Sequence, residues 1–179
     1  MNNVEIIDSE FDDIITLDGK TITLELKKTK YAESRLLDIQ TTNGNNLQEL
    51  ITVFLCACHE LNRAISIINN HLALTKHQQD IIRSTVLIQK MPFLIEQCKQ
   101  RSSEDVRNAL IELEPEYQNN KNTTIMLETC FNNLKDKRKV IEMAYFSCQK
   151  IAEFKNIYKS TASYNYGQYD NVQAGSELS

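Results

Sequence analysis

From Leu47 onward an apolar residue recurs at alternating steps of four and three: Leu47, Ile51, Phe54, Cys58, Leu61, Ile65, Ile68 and Leu72. The rhythm passes through polar Thr75 and Gln79 and returns at Ile82 and Val86. A mean step of about 3.5 residues is the coiled-coil repeat, which holds one apolar seam on one side of a helix. At about 1.5 Å per residue, some 40 residues make a helix of roughly 60 Å. A second run, Leu127, Phe131, Leu134, Ile141, Tyr145, Cys148 and Ala152, keeps the same rhythm, with Arg138 breaking it in the middle. This second helix is predicted from Pro115 to Tyr158, because proline suits the first helical position of Glu114-Pro115-Glu116.

Between the two runs, Pro92 is expected to interrupt the first helix, since it lacks an N–H and clashes with the preceding turn. The connector, residues 91–114, carries a short helix of its own. Ser102 or Ser103 can cap it, Glu104 and Asp105 suit its first turn, and Val106, Leu110 and Leu113 form its apolar face. Ahead of the first helix, apolar and polar residues alternate from Ile14 to Leu26 around Asp18-Gly19, a pair suited to a two-residue hairpin turn. A lone hairpin is marginal in water, so it is expected to dock on the helices or on a neighbouring subunit. A basic stretch from Lys27 to Arg35 and an Asn/Gly loop from Thr41 to Asn46 complete the N-terminal part.

These patterns predict an all-α fold: a long antiparallel, coiled-coil-like helical hairpin over residues 46–158. An acidic arm with a small β-hairpin, 1–45, precedes it. A tail, 159–179, follows; it is rich in Ser, Asn, Gly and Tyr and is expected to be disordered alone. Helix packing is assigned to Leu47, Ile51, Phe54, Leu61, Ile65, Ile68, Leu72, Leu134, Ile141 and Tyr145. Ile67, Ile81, Ile88, Met126, Met143 and Phe146 lie beside the seam, so the apolar stripe is wider than one helix pair can cover. A homo-oligomer is the expected consequence.

Composition supports long elements. Only 4 Gly and 2 Pro occur among 179 residues, too few turns for a sandwich, a barrel or a doubly wound sheet. No run of 18 apolar residues occurs, so no membrane span is expected, and Met1 to Glu5 have no signal-peptide character. Five cysteines, an odd number, sit in helix-like apolar settings and fit reduced thiols. The expected location is the cytoplasm.

Candidate chemistry is sparse. His59-Glu60-Leu61-Asn62-Arg63 begins like a zinc-protease helix but has Arg63 where the second ligand would stand. Cys56, Cys58 and His59 point to different helix faces, and no second Cys/His group has zinc spacing. The glycines at 19, 44, 167 and 175 are isolated, so no phosphate loop exists. The reading is a protein that is not an enzyme, with no metal, cofactor or small-molecule substrate.

Charge changes the picture more. The net charge is -4, yet residues 1–26 carry seven acids against Lys20, while 121–160 carry eight bases against four acids. Lys135, Lys137, Arg138, Lys139, Lys150, Lys155 and Lys159 gather near the end of the second helix, with Tyr145, Phe146, Tyr158, Tyr164 and Tyr166 among or after them. Cations for phosphates and aromatics for bases are what single-strand binding uses. The alternative is a solvated helix face whose lysines favour the C-terminal dipole.

Two patches stand out: Leu47-Gln48 leading to Glu60-Leu61-Asn62-Arg63, and Glu114-Pro115-Glu116-Tyr117 with Leu127-Glu128, Leu134-Lys135-Asp136-Lys137-Arg138-Lys139 and Ile141. Together they resemble the single-strand-DNA recombination mediators of tailed phages, the UvsY-type family. The resemblance covers residues 46–158 and implies an oligomeric helical hairpin that binds single-stranded DNA and helps load a recombinase. The acidic arm, the net negative charge and the Tyr-rich tail depart from that family's pattern. A phage structural or assembly protein, or a coiled-coil adaptor that binds proteins, is the competing expectation.

Overall fold

A computed structural model describes residues 6–8, 12–17, 20–41, 46–98 and 103–173, with side-chain surroundings for 22–41, 46–97 and 103–156. The elements run β1 (Ile6–Asp8), β2 (Asp12–Leu17), β3 (Lys20–Glu25), α1 (Lys27–Ser34), α2 (Asp38–Thr41) and α3 (Leu47–Thr85). A π-helical turn, Val86–Lys90, leads into α4 (Met91–Cys98), followed by α5 (Glu104–Leu113) and α6 (Pro115–Gln173). The fold is all-α in character, a helical hairpin carrying a small N-terminal sheet. Two units divide α3 and α6 between them: Met1–Leu26 with Glu60–Arg138, and Lys27–His59 with Lys139–Ser179.

In the first unit the alternating segment forms β2 and β3, paired antiparallel with Leu17 opposite Lys20. That register leaves two residues for the turn; Asp18 and Gly19 themselves lie outside the described residues. The predicted hairpin gains a third strand, β1, antiparallel to β2 with Ile6 opposite Ile15. On β3, Ile22 and Leu24 are buried while Thr23 and Glu25 are exposed, as the two-residue period of a half-buried strand requires. The Glu25 carboxylate lies 3.9 Å from Arg63 on α3, an exposed ion pair between the sheet and that helix.

The direction of the helix pair follows from three contacts in this unit. Lys76 on α3 bridges Glu128 on α6 at 2.7 Å, and Lys90 bridges Glu114 at 2.6 Å. Between them, Tyr117 packs against the cluster of Ile82, Val86, Met91 and Ile111. Numbers rise along one helix as they fall along the other, so the pair is antiparallel.

The connector corrects two expectations. Pro92 does not break the helix; it sits inside α4. The preceding π turn, in which the Met91 N–H donates to the Val86 carbonyl, widens the backbone where a proline ring would strike a regular α-turn. In α5 the cap is Ser103, whose hydroxyl accepts from the Val106 N–H at 3.3 Å. Its buried residue is Ile111, with Val106 and Leu110 half-buried and Leu113 exposed. Leu113 is turned outward at the last position, where Glu114 becomes extended.

The seam of α3 is phased slightly differently from the predicted stripe. Leu47, Phe54, Leu61, Ile68, Leu72, Ile82 and Val86 are buried as expected, but Ile51, Cys58 and Ile65 are half-buried flanks. The second line of the seam is Leu50, Ala57 and Ala64. Alanines there admit close backbone approach, so a weakly apolar side chain outranks its bulkier neighbours.

In the second unit, α1 buries Thr29 and Ala32, and α6 buries Ile141, Ala144 and Cys148. Arg35 bonds Asp38 through Nε and, through Nη1, Tyr31 at 2.7 Å and Glu49 at 3.1 Å. The bond to Asp38 leads in raising the Arg35 pKa, so the guanidinium stays charged while it ties α1, α2 and α3 together. α6 extends to Gln173, past Tyr158 where the pattern places its end; residues 174–179 of the predicted tail lie outside the described residues.

One helical run, Leu47–Gln97, is long and apolar enough by composition to cross a membrane, with a mean hydropathy of 1.4 in its most apolar stretch. Within that run His59, Asn62, Arg63 and Ser66 face outward, where a lipid-facing surface needs apolar groups.

Candidate nucleic-acid interface

The predicted cations do not share one environment. In the first unit, Lys135 is exposed and its Nζ lies 4.3 Å above the Phe131 ring, a cation–π contact. Lys137 is exposed as well, whereas Arg138 takes the seam position between Leu134 and Ile141 and is half-buried. Arg138 therefore belongs to the packing, and its interruption of the apolar rhythm marks an amphipathic side chain laid along the seam.

In the second unit, Lys139 and Lys150 are exposed. Lys155 stands seven residues after buried Cys148, on the packing side, and is half-buried. The side chain of Lys159 lies outside the described residues, as do those of Tyr158, Tyr164 and Tyr166.

Lys139 and Lys150 are joined on their face by three large apolar side chains. Lys139, Met143, Phe146, Lys150 and Phe154 follow steps of four, three, four and four, which stacks them along one side of a helix. Met143 is 61% exposed, Phe146 51% and Phe154 62%. The Phe146 ring is steadied by Tyr145, whose ring meets it edge-on with centroids 5.5 Å apart. Tyr145 is half-buried and receives a 2.6 Å hydrogen bond at its hydroxyl from the Gln149 amide. Phe154 was not among the sequence candidates; its four-residue offset from Lys150 is the signal that finds it.

Of the assigned packing residues on α6, Leu134 and Ile141 are buried and Tyr145 is half-buried. Cys148, at the centre of the packing side in the second unit, has its thiol pKa raised by burial and stays protonated. Cys56, Cys58, Cys130 and Cys148 stand outside any disulfide. Cys56 opens onto a groove of about 590 Å³ between α1 and α3, lined also by Lys27, Tyr31, Glu49 and Val53. Among the described residues no three His, Cys, Asp or Glu side chains are grouped to hold a metal ion.

No protein-family model matches this chain, and no curated protein or solved structure is significantly similar to it.

Proposed function

We propose that this chain is a non-enzymatic helical protein that binds single-stranded DNA along the outer face of α6 and, acting in the cytoplasm, assists a recombinase. One observation carries the reading: Phe146 and Phe154 stand exposed between and beside Lys139 and Lys150 on one helix face. Bases stack on such rings without regard to sequence, while the ammonium groups meet the phosphates. Lys135, Lys137 and the further cations of α6 add long-range attraction, with Arg138 and Lys155 serving mainly the packing.

Fluorescence anisotropy with a labelled oligothymidylate tests it. Each stacked base contributes about 1–3 kcal/mol, so Phe146→Ala and Phe154→Ala are each expected to weaken binding about 5-fold or more. Absence of any anisotropy change with the unaltered protein at low salt overturns the reading.

The competing reading, a phage structural or adaptor protein that binds other proteins, is favoured by a different observation. Leu74, Ile81 and Ile88 are exposed on α3, far in sequence from the lysines.

A further inference from the structure

In the first unit, the continuous run from α3 through the π turn into α4 carries Arg83, Leu87, Met91 and Ile95 at four-residue steps. Four residues take a regular helix about 40° past a full turn, so such a row drifts around the axis. The wider π turn at Val86–Lys90 takes back part of that drift, and all four residues line one cleft. Its other wall is α5, where Glu104, Arg107 and Asn108 share a helix face. The cleft measures about 530 Å³, within the roughly 300–1,000 Å³ of small-molecule sites.

The lining divides into an apolar and a charged part. Met91 is buried in the cluster with Ile82, Val86 and Ile111, and Ile95 packs against that cluster, so the core behind them fixes the apolar part. Leu87 and Pro92 extend it toward solvent. Arg107 stands on the inward side of α5, one turn before buried Ile111, where packing alone calls for an aliphatic side chain. It is half-buried, and among the described residues its guanidinium has no ion-pair partner. Arg83 donates one N–H to the Asn108 side-chain oxygen at 3.0 Å, which holds its guanidinium toward α5 with further N–H groups to give.

We propose that this cleft binds a small monocarboxylic acid with an apolar body, its carboxylate held by Arg107 and Arg83 and its body laid against Leu87, Met91 and Ile95. A planar guanidinium meets a carboxylate through two parallel hydrogen bonds, which favours this anion on geometry. Charge selects it as well. Arg83 and Arg107 against Glu104 leave the lining at +1, which one carboxylate neutralises and a phosphate dianion exceeds. A neutral apolar molecule would cover the half-buried Arg107 and leave its donors unmet, at a cost in affinity. The π turn agrees with a site here, since such single turns inside α-helices are frequent at functional sites.

A two-dimensional amide NMR titration of the full chain with sodium 2-naphthylacetate tests the proposal. Saturable shifts are expected at the amides of Leu87 to Ile95 and Glu104 to Asn108. For a ligand of about 14 non-hydrogen atoms, a dissociation constant of about 1 mM or tighter is expected. The neutral 2-naphthylacetamide is expected to bind at least about 10-fold more weakly, and Arg107→Gln to weaken the acid by a similar factor. The acid–amide comparison uses the unaltered protein, so it decides the matter even where Arg107→Gln disturbs folding. Absence of saturable shifts up to about 10 mM acid overturns the proposal. So does equal binding of acid and amide, or tighter binding of 2-naphthyl phosphate than of the acid. The titration contains no nucleic acid, so its failure is distinct from failure of the DNA-binding reading.

Discussion

Replacing Lys139 and Lys150 together by glutamine removes two exposed positive charges from the outer face of α6 without placing a helix breaker there. Each ammonium that neutralises a phosphate on a single strand contributes about 0.7 to the slope of log affinity against log salt. Two such contacts amount to about 1.4, so a fourfold rise in salt costs the unaltered protein about 7-fold more affinity than it costs the variant. The assay is the anisotropy titration repeated across a salt series, and the slope, rather than any single affinity, is the quantity compared. Lys155→Gln serves as the internal contrast, because Lys155 is half-buried on the packing side and is expected to leave the slope nearly unchanged. A double variant with the slope of the unaltered protein would refute the assignment of this face. Equal effects from Lys155→Gln would show that diffuse charge, not this face, does the binding.

Phe54, buried completely in the second unit, is expected to cost about 3–5 kcal/mol when changed to Ala. Urea unfolding followed by circular dichroism measures it, and a loss below about 1 kcal/mol would contradict the enclosure. Burial raises the pKa of the Cys148 thiol, so the folded chain holds that proton longer than the unfolded chain does. The associated stability is therefore present below the ordinary thiol pKa of about 8.5 and is lost as pH rises through the folded value. Correspondingly, Cys148 should alkylate more slowly than Cys56 in the native protein at mildly alkaline pH, as read by mass spectrometry of the labelled peptides.

Much of the fold was legible because aliphatic residues repeat so regularly along α3 and because glycine and proline are scarce. What the repeat could not supply was its phase. A stripe drawn through Leu47, Ile51, Phe54 and Cys58 differs by a fraction of a helical turn from one drawn through Leu47, Leu50, Phe54 and Ala57. Bulk argues for the first, whereas close packing of α3 selects the second, since Ala57 and Ala64 are buried and Ile51 and Ile65 are only half so. Pro92 misled for a related reason. A single-residue rule cannot anticipate that the π turn before it relieves the clash that ordinarily ends a helix. The third strand, β1, is three residues long and has no alternation of its own to announce it.

The same question of phase governs the candidate interface. A count of bases from 134 to 159 treats seven cations as one patch, but a helix turns each residue about 100° from the last. The turn sends Arg138 into the seam and Lys155 to the packing side, and leaves Lys139 and Lys150 beside Phe146 and Phe154. α3 offers the complementary lesson. Lys76, Arg83 and Lys90 form a positive row that would read as a ligand site by composition, yet each is engaged by Glu128, Asn108 or Glu114 of its own chain. A helical cation is therefore weighed by the face it stands on: Lys139 and Lys150 share theirs with exposed Phe146 and Phe154, whereas Lys76, Arg83 and Lys90 face Glu128, Asn108 and Glu114. Leu74, Ile81 and Ile88, exposed on α3, are instead the residues that favour the protein-binding reading.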